Sequence, residues 1–365
     1  MRDGGDIIQP DRHLIALLSA SLYNKDLPKS ASDWDWVAVL DLAAQTKCVG
    51  LVGLSVDRRG LKLPASAASK LAKAQQQLLL TSLFNLEWTI KVVRALQSDG
   101  IDVLVLKGPI QSNMVYGRWD ISRSSDIDLL VRPQDFAAAG QSLSSHSFNP
   151  VLDEGDRWWA DHLGEAPYLN VQAGSPMIDL HHRVQQPGGP FPKSPNRFFK
   201  DRGTAQFSGL NMPILSKGHG AILAAISYGK AVGEGASWVH YAHELMSVYE
   251  SLSPAERENL HQLADFHGVH RLLDDALFAA TSLFAASELE GVSGASADRE
   301  PLLHSAFGIT NKQRLFRSRK LWDWTDGSPP KRVIEFGRGL LRVWQSEMAR
   351  VSQERDAANR TSHTA

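Results

Sequence analysis

The hydrophobic positions of this 365-residue chain follow a helical period towards both ends and an extended pattern in the middle. In the outer segments, apolar residues recur three and four positions apart, as on one face of a helix. Asp33 is the expected cap of the second such segment, and Asp99-Gly100 is the expected stop of the third. The segments predicted as helices are 11–23, 34–44, 65–98, 221–231, 238–252, 254–267, 269–286 and 321–350.

The central region changes its period at residue 101. Residues 101–106 form a β-branched and leucine-rich run, which is typical of a strand buried on both faces. A turn at Lys107-Gly108-Pro109 starts a helix, since proline is favourable at a first helical position. Strands are predicted at 126–131, 167–172 and 176–181, and helices at 109–116 and 133–146. The pattern predicts an α+β fold, a small mixed β-sheet core flanked by N-terminal and C-terminal helical regions.

The chain is expected to divide into five parts, because a proline- and glycine-rich stretch separates the central strands from the later helices. Length alone favours two or three domains. The parts are an N-terminal helical region (1–98) whose last helix packs on the core, a core (99–184), a linker or loop (185–210), a C-terminal helical domain (211–350) and a polar tail (351–365).

Composition and net charge narrow the choice of partner only slightly. With 43% hydrophobic and 22% charged residues, the chain has the composition of a soluble globular protein. Its net charge of −1 creates no overall field that favours nucleic acid, so an anionic partner would need a local patch. Residues 312–355 carry eleven Lys or Arg against five Asp or Glu, and a solvated helix face is the favoured interpretation of that surplus.

The single cysteine, Cys48, lies in an apolar context and has no partner for an internal disulfide. This suits a reducing compartment, with Cys48 as a buried small hydrophobic residue. The N-terminal residues lack the pattern of a signal peptide, and no apolar run has the length of a membrane span. The protein is therefore expected to be cytoplasmic, unprocessed and without a membrane partner.

Two aspartates at the start of a predicted strand are the strongest candidates for chemistry. Asp126 and Asp128 project from the same face because strand side chains alternate, and they repel each other unless a cation neutralises them. Mg²⁺ or Mn²⁺ fits, since hard cations take carboxylate oxygens and complete their shell with phosphates. Asp179, on a later strand, is the preferred third carboxylate of a two-metal site. Asp102 and Asp120 are the rivals, one at the wrong end of a strand and one in a loop.

The residues before this acidic pair are suited to binding phosphate. Gly108 at a strand-to-helix turn lets backbone N–H groups approach a phosphate closely, and Lys107 beside it adds a positive charge. Arg123, Ser124 and Ser125 lie just before the acidic pair and are expected to contact a triphosphate or the leaving pyrophosphate.

The order of these features resembles the nucleotidyltransferase superfamily of the DNA polymerase β type. The motifs LKGPI…R…SDIDLLV…IDLHHRV, over about residues 101–184, are similar to those of an uncharacterised bacterial nucleotidyltransferase family often found in biosynthetic gene clusters. The resemblance implies that Asp126, Asp128 and Asp179 are catalytic metal ligands. Lys107 and Gly108 stand where the wider superfamily has a Gly-Ser pair. His181 stands where the nearer family tends to have histidine, and a structural role is favoured for it over substrate contact.

The implied reaction moves a nucleoside monophosphate from an NTP to a hydroxyl or phosphate acceptor and releases pyrophosphate. The acceptor stays open among a small molecule, a peptide and an RNA. A second hypothesis is a nucleotide-binding module without turnover, serving as a partner platform in a biosynthetic or toxin–antitoxin assembly. A third is a transferase acting on tRNA ends through the basic C-terminal stretch.

Two further groups of side chains have less specific patterns. His240 with His243, and His267 with His270, have a spacing that puts both rings on one helical face, but ordinary core or surface histidines are the favoured interpretation. Trp119 and the pair Trp158-Trp159 are candidates for stacking a base, although core packing is the default for tryptophan.

Overall fold

The computed structural model describes residues 9–27, 31, 33–122, 124–151, 160, 163–185, 190–207, 209–284, 305–307, 324, 333–334 and 337. Some features predicted from the sequence therefore lie wholly or largely outside the described residues. These are Arg123, the pair Trp158-Trp159, the helical segment 321–350, the basic stretch 312–355 and the tail 351–365.

Within the described residues, four helices precede the first strand. They are α1 (Gln9–Tyr23), α2 (Trp36–Gln45), α3 (Val49–Arg59) and α4 (Ala65–Ser98). The predicted cap of the second helix is wrong by two residues, because the side chain of Asp35, not Asp33, accepts the N–H of Ala38 at 3.0 Å. Helix α4 spans 34 residues and begins and ends as predicted.

Helix α3 was not predicted, because two glycines and an apolar run conceal its period. Packing explains why residue 50 is a glycine: a Cβ at this position would lie 2.3 Å from the carbonyl oxygen of Ile121. The first turn of α3 thus packs backbone against backbone on the loop that follows residue 117. The N-terminal helices are attached in this way to the loop that leads to Asp126.

The described residues form one mixed sheet of seven strands, which confirms the predicted fold class. The strands are β1 (Val103–Val105), β2 (Asp126–Val131), β3 (Asn149–Pro150), β4 (Glu165–Leu169), β5 (Met177–His181), β6 (Gly203–Phe207) and β7 (Leu210–Ile214), in the spatial order β3-β4-β5-β2-β1-β7-β6. Strand β2 runs parallel to β5 and antiparallel to β1, while β1 runs parallel to β7. The predicted hairpin is the antiparallel pair β4–β5.

The segment 185–210 is more ordered than the linker or loop that the sequence predicts. It contains the short helix α7 (Pro195–Lys200), and strand β6 within it pairs with β7 at the edge of the central sheet. The two strands were missed because each is only five residues long and alternates imperfectly. The sheet therefore extends beyond residue 184, and the five-part division of the chain stays a prediction.

The described residues form further helices after β1. They are α5 (Pro109–Tyr116), α6 (Phe136–Ser145), α8 (Lys217–Glu234), α9 (Val239–Glu250), α10 (Pro254–His267) and α11 (His270–Phe284). The predicted helix 133–146 begins with a 3₁₀ turn, Pro133–Asp135. Ser253 and Glu256 form a complete capping box at α10.

Two of the three apolar cores that the described residues form are the largest, and they position the site. Helix α4 packs on the sheet through residues such as Val92 and Leu96, both fully buried. Helices α1 to α3 instead share a core with α8, α9 and α11, as Leu17 and Leu245 illustrate. In the part of the chain that the structure describes, no helix combines the length and the apolar character needed to cross a membrane.

Candidate active site

Adjacent strands bring the candidate carboxylates to one face of the sheet. In the parallel pair β2–β5, Asp128 is the direct partner of Asp179. Because side chains alternate along a strand, Asp126 shares the face of Asp128, and His181 shares the face of Asp179. The sheet thus unites residues that the sequence separates by a helix and two strands.

His181 lies among these carboxylates and is 8% exposed. Its Nε2 is 3.1 Å from Oδ1 of Asp128, and its Nδ1 is 3.3 Å from Oε2 of Glu165. Glu165 is the direct partner of His181 across the antiparallel pair β4–β5. Sequence reasoning did not single out Glu165, because a lone glutamate gives no local signal of such a contact.

The donor atoms fit a divalent cation. One ligand atom each from Asp128, Asp179 and His181 lie within 4.8 Å of one another. Carboxylate oxygens and an imidazole nitrogen are ligands that divalent metals accept. Asp126 is not part of this cluster, and its Oδ1 lies 3.5 Å from Oγ of Ser124.

The three aspartates have different protonation tendencies. Burial raises the pKa of Asp179 to about 6, with the negative charges of Asp128 and Asp126 adding to the rise. Burial and Asp128 also raise the pKa of Asp126. Burial favours a higher pKa for Asp128 as well, but Lys107 and His181 outweigh it and hold that pKa well below its usual range. The carboxylates therefore repel one another, and a cation would relieve the repulsion.

The predicted phosphate-binding turn faces the same cleft. Gly108 immediately precedes α5 and has φ +94°, a backbone conformation that residues with a Cβ rarely adopt. Nζ of Lys107 lies 3.8 Å from Oδ1 of Asp128, and that carboxylate raises the pKa of Lys107. The turn thus places a positive charge and a helix N-terminus beside the aspartates.

The serine loop is attached to both the sheet and helix α4. Oγ of Ser124 donates to the backbone oxygen of Asp126 at 2.7 Å. The buried side chain of Asn85 on α4 donates to the backbone oxygen of Ser124, also at 2.7 Å. Ser124 and Ser125 both line the cleft, while Arg123 lies outside the described residues.

The cleft has a volume of about 310 Å³, and helices form its second wall. Lys230 comes from α8, while His240, Tyr241 and Glu244 come from the start of α9. Burial raises the pKa of Glu244, although a hydrogen bond from Gln111 and the charge of Lys107 oppose the rise. No local sequence signal marks Lys230 as a phosphate ligand, because no phosphate-binding loop surrounds it.

Lys47, between α2 and α3, also lines the cleft, together with Lys107 and Lys230, and the sequence did not indicate it. The backbone contact of Gly50 with Ile121 places it there, and Arg118 fixes the same region by ion pairs with Asp57 and Asp120. Within the described part of the chain, neither Lys47 nor Lys230 has an ion-pair partner.

The other candidates have structural contacts. Asp102 pairs with Arg132 at 2.8 Å, and Asp120 pairs with Arg118 at 2.6 Å. Trp119 packs edge-on against Phe207 with ring centroids 4.7 Å apart. These contacts occupy the two rival carboxylates and place the tryptophan against the sheet core.

The candidate histidine pairs do not converge. His240 lines the cleft, whereas the buried His243 lies with Nδ1 3.3 Å from the Tyr116 hydroxyl. His267 contacts His219 of α8, their Nε2 atoms lying 3.2 Å apart. His270 instead has its Nδ1 3.3 Å from Oδ1 of Asp265.

A family model described as "Uncharacterised nucleotidyltransferase" matches residues 32–290, which is more than half of the chain. No curated protein matches the chain significantly. Among solved structures, ANT(2")-Ia in complex with adenylyl-2"-tobramycin is 13% identical with a TM-score of 0.31, over 48% of this chain and 92% of that one. An antigenic nucleotidyltransferase-like protein from Paracoccidioides brasiliensis is 16% identical with a TM-score of 0.37, over 62% and 93% of the respective chains.

Proposed function

The chain belongs to the uncharacterised nucleotidyltransferase family, and on that premise we propose that it uses a divalent cation to transfer a nucleoside monophosphate from an NTP to an acceptor. The acceptor supplies a hydroxyl or phosphate oxygen, and pyrophosphate leaves. One observation carries the proposal: Asp128 and Asp179 lie directly opposite each other on parallel strands, in a cleft that also contains Lys107 and Gly108.

Asp128 and Asp179 would hold the cation, Mg²⁺ or Mn²⁺, and Asp126, on the same face of the sheet but outside the donor cluster, is assigned as a further ligand that completes the site with the nucleotide bound. Burial raises the pKa of Asp126 and Asp179, and their repulsion from Asp128 adds to the rise; both effects support this assignment, because a cation offsets them. When bound, the cation supplies charge neutralisation at the phosphates and polarises the phosphoryl group that is transferred.

The triphosphate would lie against the turn at Gly108. Backbone N–H groups at the start of α5 favour an anion, and the missing Cβ of Gly108 permits a close approach. Lys107, Ser124, Ser125 and Arg123 are assigned to the same task. Lys47 and Lys230 add two positive charges from the helical wall, and a triphosphate is the type of ligand that such an arrangement suits.

The residues of this chain position the reaction and neutralise charge. An acceptor oxygen attacks the α-phosphorus, and the bond from that phosphorus to the oxygen bridging the β-phosphate breaks. Asp179 would orient the acceptor, whose proton passes to this carboxylate or to solvent.

The proposal includes a cytoplasmic location. It is supported by the single cysteine of the chain, Cys48, which has no partner for an internal disulfide. The acceptor would be a small molecule, a peptide or an RNA.

Each of the four NTPs, labelled at the α-phosphate, would be incubated with the protein, Mg²⁺ or Mn²⁺ and cell extract. We expect label on an acceptor together with an equal amount of pyrophosphate, and neither product with Asp128→Asn. Saturable NTP binding by the wild type, without label transfer or pyrophosphate, would instead support a binding module and contradict the proposed reaction.

A further inference from the structure

The position of His181 has a consequence for the cation site. Among the described residues, the cluster of donor atoms that fits a cation contains this imidazole as well as the two opposed aspartates. His181 and Asp128 are each 8% exposed, so their donor atoms face each other with little access to solvent. Two buried polar groups held this close need a favourable arrangement of protons or a shared cation.

Glu165 occupies the far side of the imidazole ring. Its Oε2 lies 3.3 Å from Nδ1 of His181, while Nε2 on the opposite side of the ring faces Asp128 at 3.1 Å. Histidines that ligate metals commonly donate their second ring N–H to a carboxylate, which fixes the ring orientation. The β4–β5 register holds Glu165 directly opposite His181 and so builds this arrangement into the sheet.

Hydrogen-bond counting leaves two arrangements for His181: an imidazolium that donates to both Glu165 and Asp128, or a neutral ring whose second nitrogen binds a cation. A neutral imidazole carries one N–H and cannot donate to Glu165 and Asp128 at once. If Nδ1–H donates to Glu165, the lone pair of Nε2 faces the carboxylate of Asp128. A cation shared by that lone pair and the carboxylate makes both contacts favourable.

We propose that His181 is a direct ligand of the divalent cation shared by Asp128 and Asp179, with Glu165 orienting the ring. A site of two carboxylates and an imidazole prefers a first-row transition-metal ion such as Mn²⁺ to Mg²⁺, which favours oxygen ligands alone. This inference rests on the proposed function and deepens it by adding a ligand and a class of metal. It replaces the structural role that the sequence favoured for His181.

The test uses Mn²⁺ bound to the full-length protein without nucleotide, and it reads the electron–nuclear coupling of Mn²⁺ to ¹⁴N by pulsed electron paramagnetic resonance. We expect coupling to a directly bound imidazole nitrogen in the wild type and none in His181→Gln. The matched control is His182→Gln, since that ring packs against Phe136 with centroids 4.6 Å apart and does not belong to the cluster. This control should keep the coupling.

Titration gives a second readout. His181→Gln should weaken Mn²⁺ binding at least about tenfold and Mg²⁺ binding by less than about threefold, because only the former ion gains from the imidazole. Glu165→Gln should keep the ¹⁴N coupling and weaken Mn²⁺ binding about tenfold, as expected for a group that orients a ligand.

The outcomes separate this inference from the proposed function. Suppose that the wild type binds Mn²⁺, that Asp128→Asn weakens this binding, and that the spectrum shows no directly bound nitrogen. His181 is then not a ligand, and the inference is overturned while the proposed function stands. Persistence of the coupling in His181→Gln would overturn it equally. If the wild type binds no Mn²⁺ in an Asp128-dependent manner, the cation of the proposed function is itself refuted. The wild-type spectrum decides the question even if a variant fails to fold.

Discussion

Asp128 on β2 and Asp179 on β5 are direct partners in a parallel register, although helix α6 and strands β3 and β4 lie between them in the chain. The register matters because a shift by one residue would turn one of the carboxylates to the opposite face of the sheet. The cleft therefore depends on correct pairing of β2 with β5 as much as on the aspartates themselves.

Asp179→Asn should stabilise the metal-free protein while abolishing turnover. The pKa of Asp179 rises from 3.8 to about 6 on folding, mainly through burial. Between these values the folded protein retains a proton that the unfolded chain has lost, so stability falls as pH rises through this window. At pH 7.5, where the penalty is complete, we expect Asn to raise the free energy of unfolding by about 1–2 kcal/mol, measured by urea denaturation.

The matched control for this variant is Asp102→Asn. The carboxylate of Asp102 pairs with Arg132 at 2.8 Å, so its removal should leave stability unchanged or lower it. If the metal-free Asp179→Asn protein is less stable than the wild type, the charged carboxylate of Asp179 does not destabilise the fold.

Acidification should destabilise the protein through His219 and His267. Burial lowers the pKa of His219 from 6.5 to about 3 and that of His267 to about 4, so both rings are neutral in the fold. The unfolded chain binds these protons first, and stability present above pH 6.5 is lost as pH falls towards the folded values. The expected loss is about 1.4 kcal/mol per pH unit for each group.

Urea denaturation of His267→Gln between pH 7 and 4.5 checks this expectation. The wild type should be the more stable protein at pH 7, and its advantage should shrink as pH falls. His261→Gln is the control, because His261 is partly exposed and paired with Asp274. Parallel pH curves for the wild type and His267→Gln would disprove the assignment.

Gly50→Ala should destabilise the attachment of the N-terminal helices. Its Cβ would lie 2.3 Å from the carbonyl oxygen of Ile121, and backbone on both sides must shift to accept it. We expect a loss of about 2–3 kcal/mol in unfolding free energy and weaker NTP binding, since Lys47 moves with this region. Gly233→Ala, at a helical position with open space around it, should stabilise by about 0.5 kcal/mol. Equal effects of the two substitutions would argue against the close contact.

Removal of either unpaired cleft lysine should weaken NTP binding more than NMP binding. Lys47→Ala and Lys230→Ala are each expected to reduce affinity for a non-hydrolysable NTP about three- to tenfold, because each ammonium is assigned to the triphosphate. Calorimetric titration at fixed ionic strength measures both ligands. Lys91→Ala is the control, as Lys91 pairs with Glu87 on α4 and does not line the cleft. If affinity for NTP and for NMP falls by the same factor, these lysines do not contact the β- and γ-phosphates.

The central segments were predictable because their local signals agree. Helix α4 carries a long amphipathic pattern after Pro64, and α5 has proline at its first position and Gly117 at its end. Strand β2 has an apolar run that begins with two aspartates. In each case propensity, period and end signals favour the same element.

The remaining features depend on tertiary contacts. Helix α3 owes its glycines to packing, as Gly50 shows against Ile121. Lys47 and Lys230 are lone lysines that only folding brings to the cleft, and no local spacing marks them. Glu165 and His181 become partners through strand register, which a hydrophobic pattern alone does not specify.

A crystal grown with Mn²⁺ and a non-hydrolysable NTP tests the central claim most directly. The anomalous signal of manganese would locate the cation, and ordinary density would locate the triphosphate. The account predicts an anomalous peak between Asp128 and Asp179, with phosphate density against Gly108 and Lys107. A nucleotide bound with its phosphates away from this cleft, or manganese bound only elsewhere, would contradict it.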